Sequence, residues 1–267
     1  MAIDLETVFR TLGPLIGKGL STDGDAGDSF CALMRAMVRF DYAVIFAYRG
    51  KERPLDLYST FTPDEHVIFV SLYQAGPYLL DPFYHAAREP KPGVWRMREL
   101  APDRFFSSEY FRSYYTQTGL AEEVGFFVTL PGEMTVVLSL MRKERSGAFS
   151  AAEFGLIKSA EPIVSGLVRQ AWADLGPRFD ATLAKRGKGR RNTAHLAADR
   201  VWRDLNLTER EASIVELVLQ GHSSESIGLR LGISTGTVKV HRRNVYRKLG
   251  ISSQTQLLSI YLKTLGP

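Results

Sequence analysis

The chain has little of what builds several large classes of protein. It holds one cysteine, Cys31, in 267 residues, which excludes a disulfide framework and a cysteine-based zinc site. No apolar run approaches the ~20 residues that span a bilayer, and MAIDLETVFR lacks the pattern of a secretory leader. Its five histidines, at 66, 85, 195, 222 and 241, never fall at metal-ligand spacing. No G-x-x-x-x-G-K-[ST] phosphate loop occurs, and no nucleophile–base set can be picked out. The expectation is a cytoplasmic binding protein with no metal, no cofactor and no membrane contact. An enzyme is the rival class, and no catalytic residue supports it. Cys31 is expected to be a small buried apolar residue.

Acid is missing from one stretch in particular. The net charge is +5, but residues 1–173 total −3, residues 174–203 total +5 and residues 204–267 total +3. An acidic front and a basic rear imply that only the rear meets a polyanion. Val238 to Leu249 holds five Lys or Arg and no acid. This segment sits in ISTGTVKVHRRNVYRKLG, which opens on Ser234 as an N-cap and stops at Gly250. At about 100° per residue, Val245 and Leu249 fall within about 20° of Val238, and Lys239, Val240, Arg243 and Arg247 fall opposite. The valine side packs inward, and the cationic side is left for phosphates and base edges. A solvated helix face is the plain alternative, and the missing acids weigh against it.

The flanking residues support this placement. Thr208 caps LNLTEREASIVELVLQG and Gly221 ends it; Ser223 or Ser224 caps HSSESIGLRLG and Gly232 ends that. Two short helices joined by a tight Gly-containing turn form a helix-turn-helix, whose second helix enters the major groove of DNA. SSQTQLLSIYLKTLG supplies a fourth helix. Ser234, Thr235 and the free N–H groups of the first turn can hold a phosphate, and Thr237 belongs with them among the DNA-binding candidates. Docking to RNA or to another protein through the same basic helix remains an alternative.

The front half alternates helical and extended patterns. Residues 2–18 and 28–40 have helical spacing, with Asp28 as the expected cap of the second. YAVIFAY and PLDLYSTF read as strands. TPDEHVIFVSLYQ opens a helix at Thr62, and residues 90–104, with three prolines, read as loop. EEVGFFVTLPGEMTVVLSLMRK is a hairpin about Pro131-Gly132-Glu133. FSAAEFGLIKSAEPIVSGLVRQAW is a long helix capped by Ser150, kinked at Pro162. The predicted fold class is α+β: an N-terminal α/β/α sandwich with a mainly antiparallel sheet, then an all-α helix-turn-helix domain. The expected divisions are a sensory domain at 1–173, a basic linker at 174–203 containing KRGKGRR, and a DNA-binding domain at 204–267.

The rear segment resembles the DNA-binding domain of the LuxR family of bacterial regulators. The residues that carry the resemblance are Leu207-Thr208-Glu209-Arg210-Glu211, Gly221, Ile227, Leu231, Ile233-Ser234, Thr237-Val238-Lys239, His241, Asn244 and Lys248-Leu249-Gly250. The resemblance implies a four-helix domain that dimerises through its last helix on two DNA half-sites. It makes Lys239, Val240 and Arg243 base-reading residues, and Arg242 and Arg247 phosphate contacts. Scaffold positions depart from the family pattern at Ser224-Glu225-Ser226-Ile227-Gly228.

The front half shows neither the βαβ alternation of a receiver domain nor a phosphate loop. It resembles the autoinducer-binding domain of quorum-sensing members through Phe40-Asp41-Tyr42, Gly76, Tyr78, Asp81-Pro82, Trp95 and the hairpin from Gly125 to Leu140. That family holds a lactone head group with a Tyr and a Trp upstream of Asp-Pro. Here HVIFVSLYQAGPY offers Tyr73 and Tyr78 but no Trp. The expectation is therefore a homodimeric solo regulator sensing another small molecule, with an acyl-homoserine lactone receptor as the alternative. Aromatic residues crowd positions 73–115, and the ligand-binding candidates are Tyr73, Tyr78, Asp81, Phe83, Tyr84, Trp95, Phe106 and Tyr110. Aromatic faces beside a carboxylate suit a cationic amine. Aromatics at helical spacing also serve as core, and Asp81 before a proline also serves as a helix cap.

Overall fold

The computed structural model describes residues 5–17, 20, 22–89, 91–187, 202 and 205–265. Its centre is a five-stranded antiparallel sheet of order β2-β1-β5-β4-β3. The strands are β1 (Tyr42–Arg49), β2 (Leu55–Ser59), β3 (Gly93–Arg96), β4 (Leu120–Leu130) and β5 (Met134–Lys143). The central strand β5 and its neighbour β1 are buried along almost their whole length. This explains why they read as continuous apolar runs rather than alternating ones.

Alternation still decides which face each residue serves. Ala43, Ile45 and Ala47 of β1, with Val136, Leu138 and Leu140 of β5, meet one cluster. Tyr42, Val44, Phe46 and Tyr48, with Val137 and Met141, meet the other. The first face is aliphatic and is covered by α2 (Asp23–Met37), α6 (Ala151–Ser159) and α7 (Glu161–Ala171). The second is aromatic and is covered by the irregular segments between residues 62 and 118. These hold α3 (Pro63–His66), a π-helical turn at Val67–Leu72, α4 (Pro82–Arg88), α5 (Met97–Leu100) and a second π-helical turn at Phe111–Tyr115. π-turns inside helices often accompany functional sites.

Several expectations change here. The second helix begins at Asp23 with Thr22 as its cap, five residues before the expected Asp28. Gly27, inside this added segment, is needed: a Cβ there would lie 2.1 Å from the Tyr58 ring. Part of the 90–104 loop is strand β3, paired with β4 from Gly93↔Phe127 to Arg96↔Val124. Pro162 separates two helices, α6 and α7, rather than bending one. The stretch expected as linker opens with α8 (Leu175–Gly187), whose Leu175 and Phe179 are buried against the sheet's aliphatic face. Arg178 fixes that helix to Asp23 at 2.5 Å. Most of KRGKGRR, from 188 onward, lies outside the described residues. Cys31 is fully buried, as expected.

The rear consists of α9 (Glu209–Gln220), α10 (Ser224–Leu231), α11 (Thr235–Leu249) and α12 (Gln254–Leu265). Thr208 and Glu211 form a capping box, Ser223 caps α10 and Ser234 caps α11. Gly221, Gly232 and Gly250 end three helices in the left-handed conformation, where a side chain is costly. Ile214, Ile227, Val238, Val245 and Leu257 are fully buried where these helices meet. Gly228, an apparent weakness of the scaffold helix, allows a close approach: a Cβ there would lie 2.7 Å from the Ile233 carbonyl oxygen. Among the described residues, no helix is long and apolar enough to cross a membrane, and no group of His, Cys, Asp and Glu could hold a metal.

Candidate functional site

The second helix of the helix-turn-helix presents the face its spacing requires. Val238 and Val245 are fully buried, whereas Lys239, Val240, Arg243 and Arg247 are exposed. Lys248 reaches back to the buried Glu211 carboxylate at 2.6 Å, tying the end of α11 to the start of α9. Arg242 is half-buried and donates to the Ser224 hydroxyl at 3.2 Å, so it also braces α10. The Ser234 hydroxyl accepts from the Thr237 N–H at 3.0 Å, which commits it to capping. Arg247 donates to the Asn244 side chain at 3.1 Å. Among the DNA-binding candidates, Lys239 and Arg243 thus form a pair of exposed cations one turn apart, with the exposed Val240 beside them.

On the aromatic face of the sheet lies a cavity of about 40 Å³. Tyr73, Asp81, Phe83 and Tyr110, four of the expected ligand residues, line it. The other four do not. Tyr78 and Tyr84 are buried beside it and pack edge-to-face with centroids 5.0 Å apart. Trp95 lies on edge strand β3 and donates to the Lys91 carbonyl at 3.1 Å. Phe106 is 48% exposed. Density of aromatics along the chain could not separate cavity wall from neighbouring core. The wall also takes Phe46 and Tyr48 from β1, Tyr115 from the second π-turn, Glu123 from β4 and Ser139 from β5. Phe46, Tyr48, Glu123 and Ser139 were missed because only strand register brings them together, whereas Tyr115 closes the aromatic stretch 73–115 already singled out. Glu123 had a visible signal, being a charge inside an apolar strand pattern.

Asp81 does two jobs. Its Oδ1 accepts from the Phe83 N–H at 2.8 Å and caps α4, while its Oδ2 accepts from the Tyr73 hydroxyl at 2.6 Å. Glu123 accepts from the Tyr115 hydroxyl at 2.8 Å. Burial pushes both carboxyls above the usual carboxylate range, and the charge of Asp81 pushes Glu123 further the same way. Burial, with the two acids nearby, also holds Tyr48, Tyr73 and Tyr115 well above an ordinary phenol.

The wall of the cavity continues to the helix-turn-helix. Phe105 is fully buried, with ring centroids 6.0 Å from Tyr110 and 6.3 Å from Tyr115. Its backbone packs against Gly221, where a Cβ would lie 2.6 Å from the Phe105 Cα. The Arg104 N–H donates to the Gly221 carbonyl at 2.9 Å, and the Ser223 N–H donates to Asp103 at 3.0 Å. Burial opposes the charge on Asp103, but the hydrogen bonds from Ser223 hold its carboxyl below the usual range. His222, buried beside this contact, is pushed down to about 4 by burial and by Arg230. Beside the contact lies a polar cleft of about 510 Å³, lined by Asp103, Arg104 and Ser107 on one side and by Thr235, Lys239 and Arg242 on the other.

Comparison with known proteins agrees with both halves. The family described as "Bacterial regulatory proteins, luxR family" matches residues 205–261. A protein of Aeromonas salmonicida, named as an HTH-type transcriptional regulator in the exeN 3′ region, is 33% identical over 187 residues, 69% of this chain and 94% of that protein. The transcriptional activator protein PhzR of Pseudomonas fluorescens is 40% identical over 63 residues, 24% of this chain and 25% of its own length. The crystal structure of the VqsR LBD domain from Pseudomonas aeruginosa covers 61% of this chain and 94% of its own. At 24% identity and a TM-score of 0.53, that likeness is one of fold. A capped helix-turn-helix with an exposed basic face, and a relative matched over nearly its whole length, place the chain in the LuxR family of bacterial transcription regulators.

Proposed function

We propose that the protein is a solo, homodimeric regulator whose front half, about 1–173, binds a small molecule other than a standard acyl-homoserine lactone in the aromatic cavity. The observation that carries this reading is the unbroken packing from the cavity wall, Tyr110 and Tyr115, through Phe105 to Gly221 of the helix-turn-helix. A ligand that moves the wall acts directly on the element that reads DNA. The absence of a Trp between His66 and Tyr78 argues against the lactone as that ligand.

Lys239, Val240 and Arg243 read base edges in this scheme, and Arg242, Arg247 and the first turn of α11 (Ser234, Thr235, Thr237) hold phosphates. Two copies present two such helices to half-sites about 34–36 Å apart. Thr235, Lys239 and Arg242 line the interdomain cleft together with Asp103, Arg104 and Ser107. In this scheme a duplex that engages them competes with the front half for this face, which sets up an equilibrium between a closed arrangement and one in which the Asp103–Ser223 contact has parted. Ligand shifts that equilibrium only by its differential affinity for the two arrangements.

The test is fluorescence anisotropy with promoter and scrambled duplexes over a salt series. Lys239→Ala and Arg243→Ala are each expected to cost about 1–3 kcal/mol of discrimination between the two. If Arg243→Ala leaves both affinity and discrimination intact, the assignment of the reading face fails. Affinity should also fall steeply with salt, because phosphate contacts release counterions.

A further inference from the structure

The cavity contains a charge problem that its own wall does not solve. Asp81 enters from the turn before α4 and Glu123 from strand β4, and both carboxylates line the same 40 Å³ void. The hydrogen-bond donors seen on them are the Tyr73, Tyr115 and Ser139 hydroxyls and the Phe83 N–H, all of them neutral. Among the described residues lining the void, none is Lys, Arg or His. The titratable groups that line the void with the two acids are the phenols Tyr48, Tyr73, Tyr110 and Tyr115. Arg88 stacks on the Tyr84 ring, 5.3 Å from its centroid, and neither residue belongs to the wall of the void. Two carboxylates that share a buried site cannot both ionise cheaply, so without a cation the pair retains a proton near neutral pH.

We propose that the cavity selects a ligand carrying a protonated amine, and that Glu123, opposite Asp81, is the residue that sets this selectivity. The proposal rests on the reading of the cavity as the effector site. An ammonium group supplies the missing charge and N–H donors for the carboxylate lone pairs still available. The aromatic faces of Phe46 and Tyr48 add attraction for a cation. A void of this size takes the ammonium head as it stands, and a ligand tail must displace part of the aromatic wall. When the ammonium enters, the proton shared by Asp81 and Glu123 leaves to solvent: the ligand brings one positive charge in, and one goes out. A neutral ligand of the same shape leaves that proton in place.

The experiment uses the full chain and three probes: n-butylamine, 1-butanol and N-octanoyl-homoserine lactone. Binding is followed by thermal shift and by calorimetry at pH 6.5 in two buffers of different ionisation enthalpy. The expected result is at least tenfold tighter binding of the amine than of the alcohol, with proton release seen as a buffer-dependent heat. Glu123→Gln, which preserves the shape and an acceptor for Tyr115, should bring amine and alcohol to within about threefold of each other. The proton-release measurement needs no variant and so stands even if the substituted protein folds poorly. Equal binding of amine and alcohol, or amine binding without proton release, overturns the amine assignment. Tight lactone binding in either case leaves the cavity as the effector site while removing both its cation preference and the exclusion of a lactone ligand. Failure of all three probes to bind overturns both.

Discussion

Glu122 and Glu123 are neighbours on one strand and point to opposite faces of one sheet, with opposite fates. Glu122 turns to the helix-covered aliphatic side. There its two oxygens take the Arg96 guanidinium and the Phe149 N–H, and Arg96 donates further to the Phe149 and Ser150 carbonyls. Glu123 turns to the aromatic side and finds only hydroxyls. Both are nearly fully buried. The lesson concerns what a buried carboxylate is for. One that arrives with its own cation ties elements together. One that lacks a cation is left in a state the fold alone would not favour, and a ligand can change that state.

The sharpest way to break this contrast is to strip Glu122 of its partner. Arg96→Ala leaves an uncompensated carboxylate inside the protein and frees two carbonyls. The expected loss of unfolding free energy is about 3–5 kcal/mol, measured by guanidinium titration. Glu123→Gln should behave in the reverse sense. The Glu123 carboxyl has a raised pKa in the folded protein, so its contribution to stability is complete below the ordinary carboxylate range. That contribution is lost as pH rises through the raised value. Relative to the Gln variant, wild type should therefore lose stability between mildly acid and neutral pH, by up to about 1.4 kcal/mol per pH unit. A wild-type curve parallel to the variant's across pH 5–8 would show that Glu123 carries no unusual proton.

The two halves of the molecule also differ in how much their sequences disclose. Thr208, Gly221, Ser234 and Gly250 act on their own few residues, so each helix boundary at the rear could be placed from local chemistry. The inward valines and outward cations of α11 follow from one angular repeat. The cavity is not local in this sense. Tyr48 and Ser139 meet in its wall because β1 pairs with β5 from Tyr42↔Met141 to Arg49↔Met134, and pairing register across some ninety residues leaves no mark on either segment alone. Tyr78, in the short 3-10 turn at Pro77–Leu80, and Tyr84, in α4, look like wall residues beside Asp81 but are buried against each other in the core. The early start of α2 was hidden for a similar reason: Gly27 makes room for Tyr58, thirty-one residues away.

The smallest expected effect tests the opposite sign of the same electrostatics. Glu153 lies at the start of α6, where the Arg142 guanidinium grips it at 2.5 Å and its oxygen also accepts from the Ser150 N–H at 2.8 Å. The Arg142 hydrogen bond holds its carboxyl down at about 2, against a weaker push from burial. Its folded pKa is depressed, so its stabilising contribution is complete above the ordinary carboxylate range. That contribution is lost as pH falls toward about 2. Glu153→Gln should cost about 1–2 kcal/mol at neutral pH, the usual worth of a cap and a partly exposed pair. The cost should shrink toward zero in acid, where wild type has lost the same charge. Thermal melts of both proteins from pH 7 down to pH 3 will show it as two curves that converge on the acid side. The Glu123→Gln comparison should diverge over a different window and with the opposite slope. If both variants changed stability in the same direction with pH, the distinction between a carboxylate with a resident cation and one without would have no thermodynamic content in this fold.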